Sequence, residues 1–198
     1  MYEIGLIRRA AEVIRGGGIV VYPTETVYGI GVDAMNEETI LSAFRIKRRP
    51  LDMPLFIAVC SFEMMEDVAL LNEEEMEIAK ALLPGPVSIL VLKKGCVPSA
   101  LTAGSSKVGL RFPSHPVALK LIEASGPITS TSANITGKPS PVSLQELDAL
   151  IYADADIVLD GGRCDYGSAS TFVDLSGKRV IRKGAGYEKV ESVLLEFS

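Results

Sequence analysis

The sequence predicts an α/β (α+β) fold, a single domain over residues 1–198 with a twisted mixed β-sheet flanked by helices. Short apolar runs such as IVVY (residues 19–22) and LFIAV (55–59) have the length and composition of buried strands. Between them lie stretches whose apolar residues recur at helical spacing. The two kinds of element do not alternate strictly, so the sheet is expected to be mixed.

In chain order, Ile4, Ile7, Ala11 and Ile14 recur with the period of a helix that Gly16, Gly17 and Gly18 stop. Residues 19–22 form a strand. Asn36 caps a helix that turns Ile40, Leu41 and Phe44 inward and runs to about Arg48, because Pro50 disfavours α geometry at Arg49. LFIAV is a second buried strand. Helices follow near residues 61–69 and 73–82. The turn PGP (84–86) leads into a strand SILVLKK (88–94), and VGLRF (108–112) is another. Pro116 suits the first turn of a helix to Ala124. PITS (127–130) starts a strand that ends in the loop STSANITGKPSP. Ser143 and Glu146 have capping-box spacing for the next helix. DIVLD (156–160) is a strand, and STFVDL and KRVIRKG form a hairpin through SGK. Residues 188–197 form a short terminal helix. There is no internal repeat or linker.

With 47% apolar residues the chain can bury a sizeable core. No apolar run nears the ~20 residues that span a bilayer, and no basic and apolar leader follows Met1. A soluble cytoplasmic protein with no membrane association is expected. Cys60, Cys96 and Cys164 are odd in number and lack C-x-x-C spacing, which suits a reducing compartment rather than zinc or disulfides. A net charge of −5 argues against general nucleic-acid binding. It leaves room for local basic patches at RIKRR (45–49) and RKG (182–184), though RIKRR also reads as a solvated helix end.

His115 in PSHP is the single histidine, so neither a Ser-His-Asp nor a Cys-His arrangement is compelling. It reads as a surface or capping residue. G-x-x-x-x-G-K-[ST] and G-x-G-x-x-G are both absent. The chain offers instead four hydroxyl-rich loops at strand ends: PTET (23–26), TAGSS (102–106), STSAN (130–134) and SAST (168–171). Small side chains let a ligand approach the backbone, and their O–H and N–H groups suit phosphate and amino-acid recognition. Arg111 interrupts an apolar strand and needs an anionic partner, either a protein carboxylate or a ligand carboxylate or phosphate. Together with Lys47 and Arg49, these loops predict a cleft for a small anionic ligand.

PTETVYGIG (23–31), the K-x-R-P of KRRP (47–50), PGPVSILV (84–91), VGLRFPSHP (108–116), STSAN and GKPSP (137–141), in this order, resemble the YrdC/TsaC family of threonylcarbamoyl-adenylate synthases. The resemblance runs from about Ile14 to Gly184 and is to the stand-alone form. It implies a twisted sheet around a concave basic cavity. The implied reaction joins L-threonine, bicarbonate or CO2 and ATP into threonylcarbamoyl-AMP and pyrophosphate. The product would go to a separate tRNA-modifying transferase. Contact with tRNA or double-stranded RNA is associated with the same fold.

Carried onto this sequence, the resemblance puts Lys47 and Arg49 on the ATP phosphates as the catalytic pair. It gives the nucleotide Met53 (through its backbone), Asn134, Ser140 and Arg182. It gives threonine Thr26, Arg111, Ser132 and Ser170, with Arg111 gripping the carboxylate by two hydrogen bonds. Mg2+ would bridge the phosphates, with no protein ligand named. PTETVYGIG would floor the threonine pocket, with Gly29 and Gly31 permitting close approach. Glu25 either positions a cationic group or is a solvated turn carboxylate. Ala58 stands where many relatives have histidine, Lys183 where they have proline, and Met53 where they have Asn or Lys. Two competing readings remain, a non-catalytic RNA-binding module and a carbamoyl-transfer domain acting on another amine.

Overall fold

The computed structural model describes residues 4–197. Helix α1 (Ile4–Arg15) leads into strand β1 (Val20–Tyr22) and, after the PTET turn, β2 (Gly29–Gly31). Then come α2 (Glu37–Lys47), β3 (Phe56–Ala58), α3 (Phe62–Val68), β4 (Ala69–Leu70) and α4 (Glu73–Leu82). The long strand β5 (Val87–Lys93) turns back into β6 (Lys107–Arg111), followed by α5 (Pro116–Ser125) and β7 (Ile128–Ser132). The chain continues through α6 (Ala149–Asp154), β8 (Ile157–Val158), β9 (Thr171–Asp174), β10 (Arg179–Arg182) and α7 (Tyr187–Glu196).

The strands form one mixed sheet in the order β10-β9-β5-β6-β3-β7-β2-β1-β8. β3 runs parallel to β6, β9 to β5 and β8 to β1, while the other pairings are antiparallel. β5 serves two partners along one edge, β9 beside Val87–Leu90 and β4 beside Leu92 and Lys93.

Strand alternation sends neighbouring residues to opposite faces. Val20 and Tyr22 pack in one apolar cluster with α1 and α5, whereas Val21 between them belongs to a larger cluster with α2, α4 and α7. Helices thus cover both faces, which is why the strands read as continuous apolar runs.

The helix starts follow capping chemistry. Asn36 accepts from Glu38 N, Asn72 and Glu75 form a reciprocal capping box, and His115 caps α5 through Nδ1, with Pro116 in the first turn. Several expectations are corrected. Ile4 and Leu41 are exposed, at 59% and 37%; α1 buries Ile7, Ala10, Ala11 and Ile14 instead. Ser143 makes no side-chain cap, because Glu146 accepts from Val142 N, and only a 3-10 turn forms before α6, which Asp148 caps. The DIVLD strand shrinks to two residues. The unforeseen β2 arises in GIG, where glycines accommodate a ring: a Cβ at Gly31 would lie 3.1 Å from Tyr22 Cε1 and 3.0 Å from Ile128 Cδ1. Gly31 therefore serves the core, while Gly29 also lines the cavity described next.

Candidate active site

A cavity of about 220 Å³ is lined by side chains of β3, β5, β6, β7 and β10 and by the loops before β2, β3 and β9. Among the described residues its wall carries three arginines (Arg49, Arg111 and Arg182) and hydroxyls from Thr24, Thr26, Ser88, Ser132, Ser140 and Ser170 among others, but no carboxylate, thiol or imidazole. Strand register brings these groups together. Ser88 and Ala58 flank Arg111 across the β5–β6 and β3–β6 ladders, and Gly29 pairs with Ser132 across β2–β7.

The PTET turn closes on itself. Thr24 Oγ1 donates to Val27 O at 2.6 Å and accepts from the amides of Thr26 and Val27. This is the local hydroxyl-to-backbone bonding that favours threonine in turns. Glu25 is 2% exposed and pairs with Arg111, and its Oε2 accepts from Ser114 N at 3.0 Å. The solvated-carboxylate reading of Glu25 is thereby excluded, and the anionic partner required by Arg111 is a protein carboxylate.

Arg111 lines the cavity, but its guanidinium is already committed. Nη1 donates to Gly85 O and Val87 O, each at 3.2 Å, and Nη2 to Glu25 Oε1 and Thr26 Oγ1. Four terminal N–H groups meet four acceptors. The expected two-pronged grip on a ligand carboxylate is therefore not available in this arrangement, and only Nε–H is left.

Ser170 and Ser88 form a buried hydroxyl pair at 2.7 Å. Arg182 donates to Ser170 O from Nε and Nη2 at 3.3 and 3.0 Å. Burial, with Arg111 nearby, pushes the pKa of Arg182 below its ordinary value. Arg49 braces on Met53 O at 2.9 Å and Pro54 O at 3.0 Å, and Nη1 takes no protein acceptor among the described residues.

Of the predicted site residues, Thr26, Arg49, Arg111, Ser132, Ser140, Ser170 and Arg182 converge on the cavity. Lys47, Met53 and Asn134 stand outside its lining. Met53 is 40% exposed and acts through its carbonyl on Arg49. Lys47 is 1% exposed, and its ammonium donates to Ser132 O, Asn134 O and Asn134 Oδ1. Burial, and then Arg49, lower its pKa to about 7. Within RIKRR, then, Lys47 is core, Arg49 is site, and Arg45 and Arg48 are exposed. Of the four predicted loops, TAGSS contributes nothing to the wall. Ser88 was missed; its signal was a lone hydroxyl within PVSILV. Among the described residues no group of three or more His, Cys, Asp or Glu could hold a metal ion, and no helix is long and apolar enough to cross a membrane.

Residues 12–184 match the family model Sua5/YciO/YrdC, described as telomere recombination. The chain is 44% identical over 172 residues to a threonylcarbamoyl-AMP synthase of Pyrococcus abyssi, covering 86% of this chain and 51% of that protein. It is 31% identical to the threonylcarbamoyl-AMP synthase of Stutzerimonas stutzeri, covering 89% of this chain and 96% of that one. The structure of P. abyssi Sua5 complexed with L-threonine superposes with a TM-score of 0.91 at 42% identity, covering 96% of this chain and 58% of that one. The chain belongs to the Sua5/YciO/YrdC family, as its ordered motifs imply. It spans about half the length of the P. abyssi protein.

Proposed function

We propose that this chain is a threonylcarbamoyl-AMP synthase, a nucleotidyltransferase that joins L-threonine, bicarbonate or CO2 and ATP and releases pyrophosphate. One observation carries the reading: the cavity wall combines arginines and hydroxyls without a carboxylate, thiol or imidazole. Such a wall suits anions and hydroxyl-bearing ligands, and with no imidazole or carboxylate in it the wall gives its hydroxyls no general base to make them covalent nucleophiles. Family membership, and the threonine named for the P. abyssi structure, support it.

In this reading the threonine amine adds to CO2, loses a proton and becomes a carbamate. A carbamate oxygen then attacks the α-phosphorus of ATP, and the bond to the β-phosphate oxygen breaks. The protein holds the partners in line and neutralises charge. Arg49 and Arg182, braced on backbone carbonyls, serve the phosphates. Thr26, Ser132 and Ser170 offer hydroxyls to the amino acid, and Arg111 offers Nε–H and its field. Ser140 contacts the nucleotide, Asn134 acts through Ser132, and Met53 acts through Arg49. The cavity, about 220 Å³, is below the ~300–1,000 Å³ of common ligand pockets. It takes the amino acid and the reacting phosphate, with the adenosine across its mouth. Mg2+ would come with the triphosphate as part of the substrate and would supply charge neutralisation at the phosphates; among the described residues the wall offers no carboxylate to hold it. The adenylate passes to a tRNA-modifying transferase in the cytoplasm, and the exposed Arg45 and Arg48 are where any direct tRNA contact would begin.

The test is pyrophosphate release, with mass spectrometry of the adenylate, while ATP, threonine and bicarbonate are omitted one at a time. All three are required if the reading holds. Equal turnover without bicarbonate would sink it. Salt-sensitive tRNA binding without turnover would put the RNA-binding module ahead.

A further inference from the structure

We infer that Lys47 is a positioning residue: it holds the segment 132–140, which carries Ser132 and Ser140, in shape for the ligand, and does not itself meet the phosphates. The inference rests on the reading that an anionic ligand fills the cavity.

The geometry is that of a strut. Lys47 is wholly enclosed, yet no carboxylate is among its hydrogen-bond partners. An ammonium has three N–H groups, and here three oxygens receive them: Ser132 O, Asn134 O at 2.9 Å and Asn134 Oδ1 at 3.3 Å. All three belong to the chain leaving β7. The backbone of the same residue holds the next part, since Thr136 N donates to Lys47 O at 2.9 Å. Asn134 carries the restraint onward. Its Oδ1 also accepts from Ser132 Oγ, and its Nδ2 donates to Ile135 O and Lys138 O at 3.1 and 2.6 Å.

The far side of the segment is tied to Tyr28, through Ala133 N to Tyr28 O at 2.8 Å and Tyr28 N to Pro141 O at 2.9 Å. Segment 132–141 is therefore clamped between Tyr28 and Lys47. Ser132 and Ser140 face the cavity; Lys47 does not. Turning the ammonium toward a phosphate would break all three bonds: Asn134 O would lose its donor among the described residues, while Ser132 O would keep only Asn134 N and Asn134 Oδ1 only Ser132 Oγ, a cost that opposes the move. Arg49, two residues on, is the cation that reaches the cavity, and its charge adds a second reason for Lys47 to stay turned away.

Two measurements decide the matter, one without any variant. In wild-type protein labelled with 15N-lysine, the Lys47 Nζ signal is titrated with and without inorganic tripolyphosphate. A strut shifts its midpoint by less than about one pH unit, whereas direct contact raises it by about two or more. In the second, Lys47→Met is compared with wild type by amide hydrogen exchange in the free protein. Exchange should quicken at least tenfold in residues 132–140 and stay unchanged in β5 and β6, and the salt dependence of tripolyphosphate binding should be retained. A midpoint raised by two units, or unchanged exchange in a folded variant, overturns the inference. If tripolyphosphate fails to bind wild type at all, the anion-site reading is what fails, and the exchange comparison alone decides the role of Lys47. If Lys47→Met does not fold, the Nζ titration decides it.

Discussion

Arg111 and Glu25 meet beneath the cavity as an ion pair from which water is almost excluded, at 4% and 2% exposure. The pair ties together parts of the chain that are distant in sequence. Arg111 reaches Gly85 O and Val87 O at the entry to β5, while Glu25 brings the PTET turn and receives Ser114 N from the loop before α5.

Glu25→Gln keeps the shape and removes the charge, leaving a buried guanidinium without its counter-ion. Breaking such a pair from one side costs ~3–5 kcal/mol. Urea unfolding should show a lowered midpoint with an unchanged m-value. A loss below ~1 kcal/mol would place the holding of the PTET turn elsewhere.

Gly184 marks a second tight spot. A Cβ there would lie 2.1 Å from Ala169 O and 2.8 Å from Ser170 C, both backbone atoms that cannot swing aside. The same corner holds Thr171 N to Ala185 O and Ala185 N to Ala169 O, each at 2.9 Å. Gly184→Ala should therefore part β10 from the 169–171 segment and carry Arg182 away from Ser170. Thermal unfolding should report a loss of at least ~2 kcal/mol, and nucleotide-dependent turnover should fall with it. An alanine variant of wild-type stability would contradict the packing at this corner.

Lys47 gives the fold a pH dependence of definite sign. Its folded pKa, about 7, lies below the ordinary 10.5. Between those values the unfolded chain holds a proton that the folded chain lacks, so this residue makes stability rise with pH, by up to ~1.4 kcal/mol per unit. Below 7 both states are protonated and its contribution is flat. Tyr22 and Tyr28, pushed up to about 12 by burial, act in the opposite sense only above their ordinary 10.0. Denaturation at pH 7 to 9.5 should show a steeper rise in wild type than in Lys47→Met. Equal slopes would mean that Lys47 titrates alike in both states.

Most elements were legible because both faces of the sheet are covered, so strands such as β1 and β3 announce themselves as unbroken apolar runs. β2 was not, since two of its three residues are glycines whose meaning is the Tyr22 ring across the ladder. The Ser143–Glu146 spacing promised a cap, but Glu146 is drawn to Val142 N instead. At the site, the motifs marked segments that converge on the cavity without giving the direction of each side chain. Lys47 and Arg49 stand two residues apart, and only the αL turn at Arg48 separates a core residue from a cavity-facing one. The saturation of Arg111 depended on carbonyls of Gly85 and Val87, which no side-chain pattern encodes.

No covalent enzyme intermediate is expected. His115 is half-buried, and its Nδ1 accepts from Val117 N at 3.2 Å as the cap of α5. Cys164 is buried with its thiol pKa pushed up to about 11, and neither Cys60 nor Cys96 lines the cavity. His115→Ala should cost about 1 kcal/mol of stability through the lost cap, and each Cys→Ser should keep most of kcat. A loss near ~10³-fold in kcat from any one, in a folded protein, would reveal a base or nucleophile.

Amino-acid choice should follow from how the hydroxyls of the wall are satisfied. Thr24 and Thr26 stand 2.9 Å apart with Thr26 also accepting from Arg111, and Ser88 and Ser170 bond each other at 2.7 Å. Val27, Leu55 and Phe56 add apolar surface to the same wall. A ligand with one hydroxyl and one methyl can engage both characters. Serine lacks the methyl, worth only ~1–3 kcal/mol in an apolar pocket, so weak turnover with serine is expected. Valine keeps the shape but leaves site hydroxyls facing a methyl, and a site built to bond a hydroxyl rejects such an analogue by ~10⁴-fold or more. Ser88→Ala, which frees Ser170 from its partner, should raise the KM for threonine more than that for ATP. The measurement is kcat/KM for threonine, serine and valine by pyrophosphate release in wild type and Ser88→Ala. Valine turned over as well as threonine would remove the hydroxyl from recognition, and an unaltered threonine KM in Ser88→Ala would remove the Ser88–Ser170 pair.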